Sequence, residues 1–406
     1  MTGPASEVGA SEVGASEVGA SEVGASEDRR PFASYTAVPL AAWLELFYDL
    51  IFVAAILVFS SAVSHLNDDV RVAWVVGVFV AVWWIWVSTT MFANRFRVDD
   101  VGQRLLVLIQ MFLVVLLAGE AREGVGRDGL VLSVTYAALI GTVAVMYWRR
   151  ARTPGPLGAY AVHRSVYAFV SVATFLVAAA LPETSRQILW VFGLLVTIVP
   201  SVVQSERLGG VAPIDERHIV ERMGAFTIIV CGEAFLKVAI QVSSAPIAHL
   251  DFVALGFQFV LTFAIWSTYF PDMPHAGIRR DRFAPWTALH LLVQLCIAGT
   301  AIGVAQMVAV DPLAHLPASD ILEVTVTLAV MYVGLALLGL CTRRQPAWPL
   351  FALRLSTTLA IVVVGVAAWR IPWVDLVEGV AMLSTVAILH AFAADRLRRR
   401  TKVSPA

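Results

Sequence analysis

Trp43-Leu44-Glu45-Leu46-Phe47-Tyr48-Asp49-Leu50-Ile51-Phe52-Val53 sets two carboxylates at the mouth of an apolar run that continues to Val63. Glu45 and Asp49 are four residues apart, so on a helix they share one face, about 6 Å apart along the axis. With its first turn the run can cross a hydrocarbon core of ~30 Å, and a carboxylate inside such a segment is costly enough to be read as a functional hypothesis. The rest of the chain must supply partners for both acids.

Composition extends that reading to the whole chain. Of 406 residues, 59% are hydrophobic and 15% charged, against about 25% charged in soluble domains. The expected fold is all-α, a polytopic transmembrane helix bundle. A net charge of −1, with basic residues confined to short connections, excludes a nucleic-acid-binding surface. Cys231, Cys296 and Cys341 lie in or at the end of apolar runs without C-x-x-C spacing, which reads as packing rather than disulfide or metal chemistry. Neither a metal nor a cofactor is expected. The signatures G-x-x-x-x-G-K-[ST], H-E-x-x-H and G-x-S-x-G are absent, and no G-x-G-x-x-G follows a strand, so ATP is not expected to drive this chain.

Three regions follow. Residues 1–40 are an acidic low-complexity tail, in which Gly-Ala-Ser-Glu-Val recurs over residues 4–28; a period of five fits no helix or strand face, and disorder is expected. No positively charged stretch precedes an apolar core there, so the first apolar segment is expected to act as an uncleaved anchor. Residues 41–395 form the bundle and 396–406 a basic cytoplasmic tail.

Twelve apolar segments are read in the bundle: 43–63, 72–92, 104–119, 130–148, 164–181, 187–203, 222–242, 250–270, 285–309, 320–341, 348–369 and 373–393. If they alternate across the membrane, one side receives 23 of the 29 basic residues. The other receives only Arg71, Arg122, Arg127, Arg186 and Arg370, and Lys237 falls inside a segment. The positive-inside rule then puts both termini in the cytoplasm. Trp43, Trp148, Trp286 and Trp348 fall at cytoplasmic ends and Trp74, Trp190, Trp369 and Trp373 at external ends, where headgroup anchoring is expected. Trp83, Trp84 and Trp86 lie deeper and read as packing or lipid-facing rings. Ile219 to Ile229 can be laid over Trp43 to Val53 with Glu221 on Glu45, which admits two six-helix halves in a parallel repeat.

The polar residues within segments are the candidate site. Glu45 and Asp49 lie in the first two turns, either serving the helix dipole with a loop arginine or acting functionally. Arg104 and Arg164 are the expected counter-ions for Glu45, Asp49 and Glu221, with snorkelling to the headgroups as the alternative, above all for Arg164. Glu233 lies near mid-membrane, and Lys237 one turn on can form an i, i+4 pair with it; the two are either a packing pair or a site for protons, ions or a charged substrate group. His290 and Gln294 are one turn apart, and His290 is either hydrogen-bonded within the bundle or a proton relay. Gln110 and Gln258 read as interhelical hydrogen-bond partners, and Gly299-x-x-x-Gly303 as a close-packing motif.

Glu45-Leu46-Phe47-Tyr48-Asp49-Leu50-Ile51-Phe52-Val53 and His218-x-x-Glu221-Arg222-x-Gly224-x-Phe226-Thr227-Ile228-Ile229-Val230-x-Gly232-Glu233 together resemble the signatures of the low temperature requirement A (LtrA) family of bacterial membrane proteins. The resemblance runs from about residue 40 to the C-terminus. It departs at Tyr269-Phe270-Pro271-Asp272, where the family's aromatic pair would lead directly into the acid. The resemblance implies an inner-membrane protein linked to growth at low temperature. Two functions fit: an ion- or proton-coupled secondary transporter of a small solute, or an intramembrane enzyme or stress-adaptation factor acting on lipid or wall precursors through Glu45, Asp49, Asp272 and His290. The candidate binding residues are Glu45, Asp49, Glu221, Glu233, Lys237, Asp272 and His290.

Overall fold

The computed structural model describes residues 40–63, 69–122, 129–207, 214–244, 252–273, 277–308, 318–343, 348–371, 374 and 376–403. The acidic repeat and Trp373 lie outside them. Each apolar segment is a helix: α1 (Leu40–Val63), α2 (Asp69–Phe96), α3 (Val101–Arg122), α4 (Gly129–Arg150), α5 (Pro156–Ala179), α6 (Glu183–Arg207), α7 (Glu216–Ser244), α8 (Phe252–Tyr269), α9 (Phe283–Val308), α10 (Ala318–Leu340), α11 (Trp348–Arg370) and α12 (Leu376–Val403). Among the described residues, nine helices are long and apolar enough to cross a membrane. The protein is a polytopic transmembrane helix bundle. Pro271, which has no N–H to continue the helical ladder, follows the end of α8, and Phe270–Asp272 form a 3₁₀ turn. α12 continues through the basic run beyond residue 395.

α2 is the central element. Every residue from Ala81 to Phe92 is buried, as a helix that is apolar all round requires. By contrast α1, α3 and α11 turn large apolar side chains outward, among them Leu46, Phe47, Leu50, Phe112, Leu359 and Val363, a surface suited to the lipid bilayer.

Neighbour order recurs along the chain. α1 packs on α3, α3 on α4, α4 on α5 and α5 on α6; likewise α7 packs on α9, α9 on α10, α10 on α11 and α11 on α12. The pattern parts at α2, which lies against α1, α4 and α7, and at α8, which lies chiefly against α12. α1 and α7 meet directly.

Lipid tails are as apolar as leucine, so close contact and polar links must hold the helices together. Gly299 and Gly303 of α9 face Thr327 and Val324 of α10, so tightly that a Cβ at either glycine would meet those side chains at 2.8 and 2.6 Å. Gly365 of α11 is closer still to Thr325. Gln110 accepts from Thr89 Oγ1 at 3.1 Å and donates to Thr142 Oγ1 at 2.7 Å, tying α3 to α2 and α4. Gln258 donates to the Ala234 carbonyl at 3.2 Å. All three cysteines are buried and free.

Trp43, Trp148, Trp348 and Trp369 are exposed, as headgroup anchors must be. Trp286 departs from that expectation. It is buried, its ring centroid 4.0 Å from that of His290, because the first turn of α9 is covered by its neighbours. Trp83, Trp84 and Trp86 are all buried in the bundle, which removes the lipid-facing alternative.

Candidate functional site

Asp49 lies one helical turn after Glu45 and is fully buried. Its Oδ1 accepts from Trp86 Nε1 at 2.7 Å and from Arg222 Nη2 at 2.6 Å. Its Oδ2, buried as well, has no hydrogen-bond partner among the described residues. Arg222 extends from α7 and also reaches Glu45, with Nε 3.4 Å from Oε2. One guanidinium therefore serves both acids of α1.

Glu45 continues the line outward. Its Oε2 lies 2.8 Å from His218 Nε2, and His218 Nδ1 lies 3.1 Å from Asn94 Nδ2. The backbone of Asp215 fixes the amide of Asn94, because the Asp215 N–H donates to Oδ1 at 3.1 Å and its carbonyl accepts from Nδ2 at 2.9 Å. Nδ2 is thus a donor toward the ring, so His218 Nδ1 accepts and Nε2 carries the proton given to Glu45. Asp215 closes the line by pairing with Arg97 at 2.7 Å. Side-chain exposure grades from 0% at Asp49 through 22% at Glu45 and 29% at His218 to 74% at Arg97.

Helical spacing puts His218, Arg222, Phe226, Glu233 and Lys237 within a stripe about 100° wide on α7. Phe226 is the apolar break in it. Its ring lies 4.5 Å from Trp86 and 6.4 Å from Phe52, all three buried. Beyond this wedge, ~16 Å along the axis from Arg222, Glu233 is fully buried, with Lys237 Nζ 3.9 Å away. Lys237 is also within electrostatic reach of Glu323 on α10.

The other candidates sit elsewhere. Glu221 falls on the outward face of α7 and pairs with Arg217 at 2.8 Å. Asp272 is held by Arg354 of α11 and by Arg398 of α12, the latter at 2.8 Å. His290 gives its Nδ1 proton to the Trp286 carbonyl at 2.8 Å, which leaves Nε2 as a buried acceptor without a partner among the described residues. No hydrogen bond or ion pair among the described residues joins Asp272 or His290 to Glu45 or Asp49. Gln294, one turn from His290, accepts from Trp83 Nε1 at 2.7 Å and donates to Thr227 Oγ1 at 3.0 Å.

The expected counter-ions are not the ones used. Arg104 pairs with Asp99 at 2.7 Å, because Asp99 stands in the short connection that leads into α3, just before the first turn that carries Arg104. Arg164 points inward to the Thr197 carbonyl and the Tyr147 ring, so it neither pairs with the acids nor snorkels. Sequence reasoning missed the roles of Arg222, His218, Trp86 and Asn94. The i, i+4 spacing of His218 and Arg222 was a usable signal, since it repeats the spacing of Glu45 and Asp49. Nothing local marks Trp86 or Asn94.

Fold and site together define a multi-pass, all-helical membrane protein that keeps ion pairs inside its bundle. The sequence model of the family described as bacterial low temperature requirement A protein (LtrA) matches residues 40–394, and the chain belongs to that family. It is similar to an uncharacterized protein, RA0937, of Rhizobium meliloti (strain 1021), at 29% identity over 240 residues. The match covers 57% of this chain and 58% of that protein, so the chain spans less than two thirds of the relative's length.

Proposed function

We propose that the protein is a secondary transporter driven by a proton or ion gradient, with Asp49 as the group that takes up and releases the coupling proton. One observation carries the reading. Asp49 is fully buried, its Oδ1 is taken by Trp86 and Arg222, and its Oδ2 has no hydrogen-bond partner among the described residues, at the inner end of a polar line through Glu45, His218 and Asp215. An ion pair kept for packing alone gains most by satisfying both oxygens. A carboxylate with one oxygen open can accept a proton before its existing contacts break.

The second group on α7 supports the same function. Beyond the aromatic wedge Lys237 lies 3.9 Å from Glu233 and within electrostatic reach of Glu323, and ionisable groups inside a bundle are what proton and ion pathways use. Phe226, Trp86 and Phe52 then form the barrier between two levels of one pathway. The recurring neighbour order of α1–α6 and α7–α12 fits two six-helix halves rocking against each other. With both termini cytoplasmic, the Asp215 end opens to the cytoplasm. The enzyme alternative has less support, because Asp272 and His290 have their own partners apart from Glu45 and Asp49.

The test is reconstitution into liposomes on a solid-supported membrane, with pH jumps applied alone and with panels of cations, amino acids and organic anions. Wild type should give pH-driven charge movement, and folded Asp49→Asn should not. Equal currents from both would remove Asp49 from the coupling role. A wild type silent with every panel would remove transport.

A further inference from the structure

Arg95 of α2 and Arg164 of α5 face a cavity of about 140 Å³ between α2, α5, α6 and α9. That is roughly ten times the room one water requires. The cavity runs from the last turns of α2 and α6 and the first turns of α5 and α9 inward along α2 as far as Val80. Arg164 is 95% buried, being 5% exposed. Its Nη1 donates to the Thr197 carbonyl at 3.2 Å, and its Cζ stands 5.2 Å from the Tyr147 ring. Arg95 Cζ stands 4.8 Å from the Tyr160 ring. In both arginines Nε is buried without a hydrogen-bond partner among the described residues.

Among the described residues neither guanidinium has a carboxylate within 4.0 Å. The acids that follow Arg95 in the chain are engaged elsewhere, Asp99 by Arg104 and Asp100 by Arg149 and Arg150, and Asp215, which bonds Asn94, pairs with Arg97. Arg95, half-buried and bonded to the Tyr160 side chain, and Arg164, buried against one carbonyl and a ring face, have no anion to offset their charge among the described residues, and neutral partners and cation–π contacts offset only part of the desolvation. A guanidinium presents a planar fork that matches the oxygens of a phosphate. Ser88, Ser201 and Thr287 also line the cavity, and Trp84, Val87 and Leu291 give it an apolar wall.

We propose that this cavity binds a phosphate-type anion between Arg95 and Arg164, the apolar wall receiving the acyl part where the phosphate belongs to a lipid. The site does not depend on the role given to Asp49. Its outer part, by Arg95 in the last turn of α2, lies at the end of the bundle and matches the headgroup layer, so the phosphate has two sources: an anionic lipid or a free phosphate.

The experiment uses the full chain purified in neutral detergent. Native mass spectrometry reads the lipid retained after exposure to mixed phosphatidylglycerol and phosphatidylcholine, and a thermal-shift titration reads binding of inorganic phosphate. Wild type should retain phosphatidylglycerol over phosphatidylcholine, and Arg95→Gln and Arg164→Gln should each weaken retention about tenfold. Ala288→Trp leaves both arginines in place and fills the cavity that Ala288 lines; it should abolish retention, and it decides the matter if Arg164→Gln fails to fold. A saturable phosphate shift without lipid preference, lost in the same variants, assigns the site to free phosphate. Lipid retention and phosphate shift that are absent in wild type, or unchanged in the folded variants, overturn the proposal.

Discussion

Arg222 Nη2 lies 2.6 Å from Asp49 Oδ1, joining α7 to α1 across 173 positions of sequence. Both groups are buried, so the contact is worth less as an attraction than as relief of two desolvated charges. Arg222→Gln should therefore cost about 3–5 kcal/mol, because it strands Asp49 and leaves Glu45 with His218 alone. Asp49→Asn with Arg222→Gln should regain a good part of that loss. Trp86→Phe removes one hydrogen bond to a charged acceptor and should cost about 1.5–3 kcal/mol. Inactivation half-lives at fixed temperature in detergent are the measurement, since unfolding of such proteins is commonly irreversible. An Arg222→Gln half-life equal to wild type would mean that Asp49 is not charged in the folded state.

The α10–α11 contact rests on one missing side chain. A Cβ at Gly365 would overlap the Thr325 side chain. Gly365→Ala should lower stability by about 1–3 kcal/mol, and Thr325→Ala in the same chain should recover part of it. Gly232 of α7 has nothing within 4 Å of its would-be Cβ, so Gly232→Ala should be neutral or stabilising by up to ~1 kcal/mol. A Gly365→Ala protein as stable as wild type would show that α10 and α11 can part at no cost.

The helices were legible because an apolar run of membrane-crossing length is a local property, and all twelve segments became helices α1–α12. Pairings between helices were not. Arg222 stands at the start of an apolar run much as Arg104 and Arg164 do, and periodicity cannot tell which of the three turns toward α1. Only packing decides that Arg222 reaches Asp49 and that Arg104 stays with Asp99. Asp272 was grouped with Glu45 and Asp49 by depth, but depth does not fix position around the bundle, and Arg354 and Arg398 hold it elsewhere. Gln110 and Gln258 were legible as links for the opposite reason: a buried amide must find a partner whichever way its helix turns.

Asp100 lies between α2 and α3, outside the spanning segments, and the Arg149 guanidinium beside it holds its carboxyl below the usual carboxylate range, helped by the Gln103 N–H and Arg150. A carboxyl lowered on folding adds stability that is present above its unfolded value of about 3.9 and is lost as pH falls through the lower folded value. The group is partly exposed, so the pair should be worth no more than ~1 kcal/mol. Arg149→Gln should be slightly less stable than wild type at neutral pH, and the difference should vanish in acid and shrink in high salt. A difference that grows on acidification would contradict the pairing.

The proposed orientation rests on the 23 of 29 basic residues that fall on one side. A reporter that works only outside the cytoplasm should be active when fused after Ser185, in the first turn of α6, and silent after Pro156 or Gly277. Those positions lie at opposite ends of successive crossings, α5 beginning at Pro156 and α6 at Glu183. Activity at Pro156 would invert the assignment.

Glu233 and Lys237 separate the two meanings a buried pair can have. At 3.9 Å their contact is a loose one, and Glu323 adds a second negative charge near the ammonium, so Lys237 is not held by Glu233 alone. If the pair only fixes packing, Glu233→Gln should destabilise the bundle, and Glu233→Gln with Lys237→Met should restore both stability and activity. If Glu233 takes a proton or cation during transport, the double variant should fold with near-wild-type half-life and still carry no pH-driven current, because an amide cannot alternate between charged and neutral forms. Glu323 sharpens the outcome. With Glu233 neutral, Lys237 can still answer Glu323, so the single Glu233→Gln variant should lose less stability than Arg222→Gln, whose removal strands acids with no second guanidinium. Charge movement and inactivation half-life are read on the same preparations. A fully active double variant would return Glu233 to a structural role and leave Asp49 as the one coupling group.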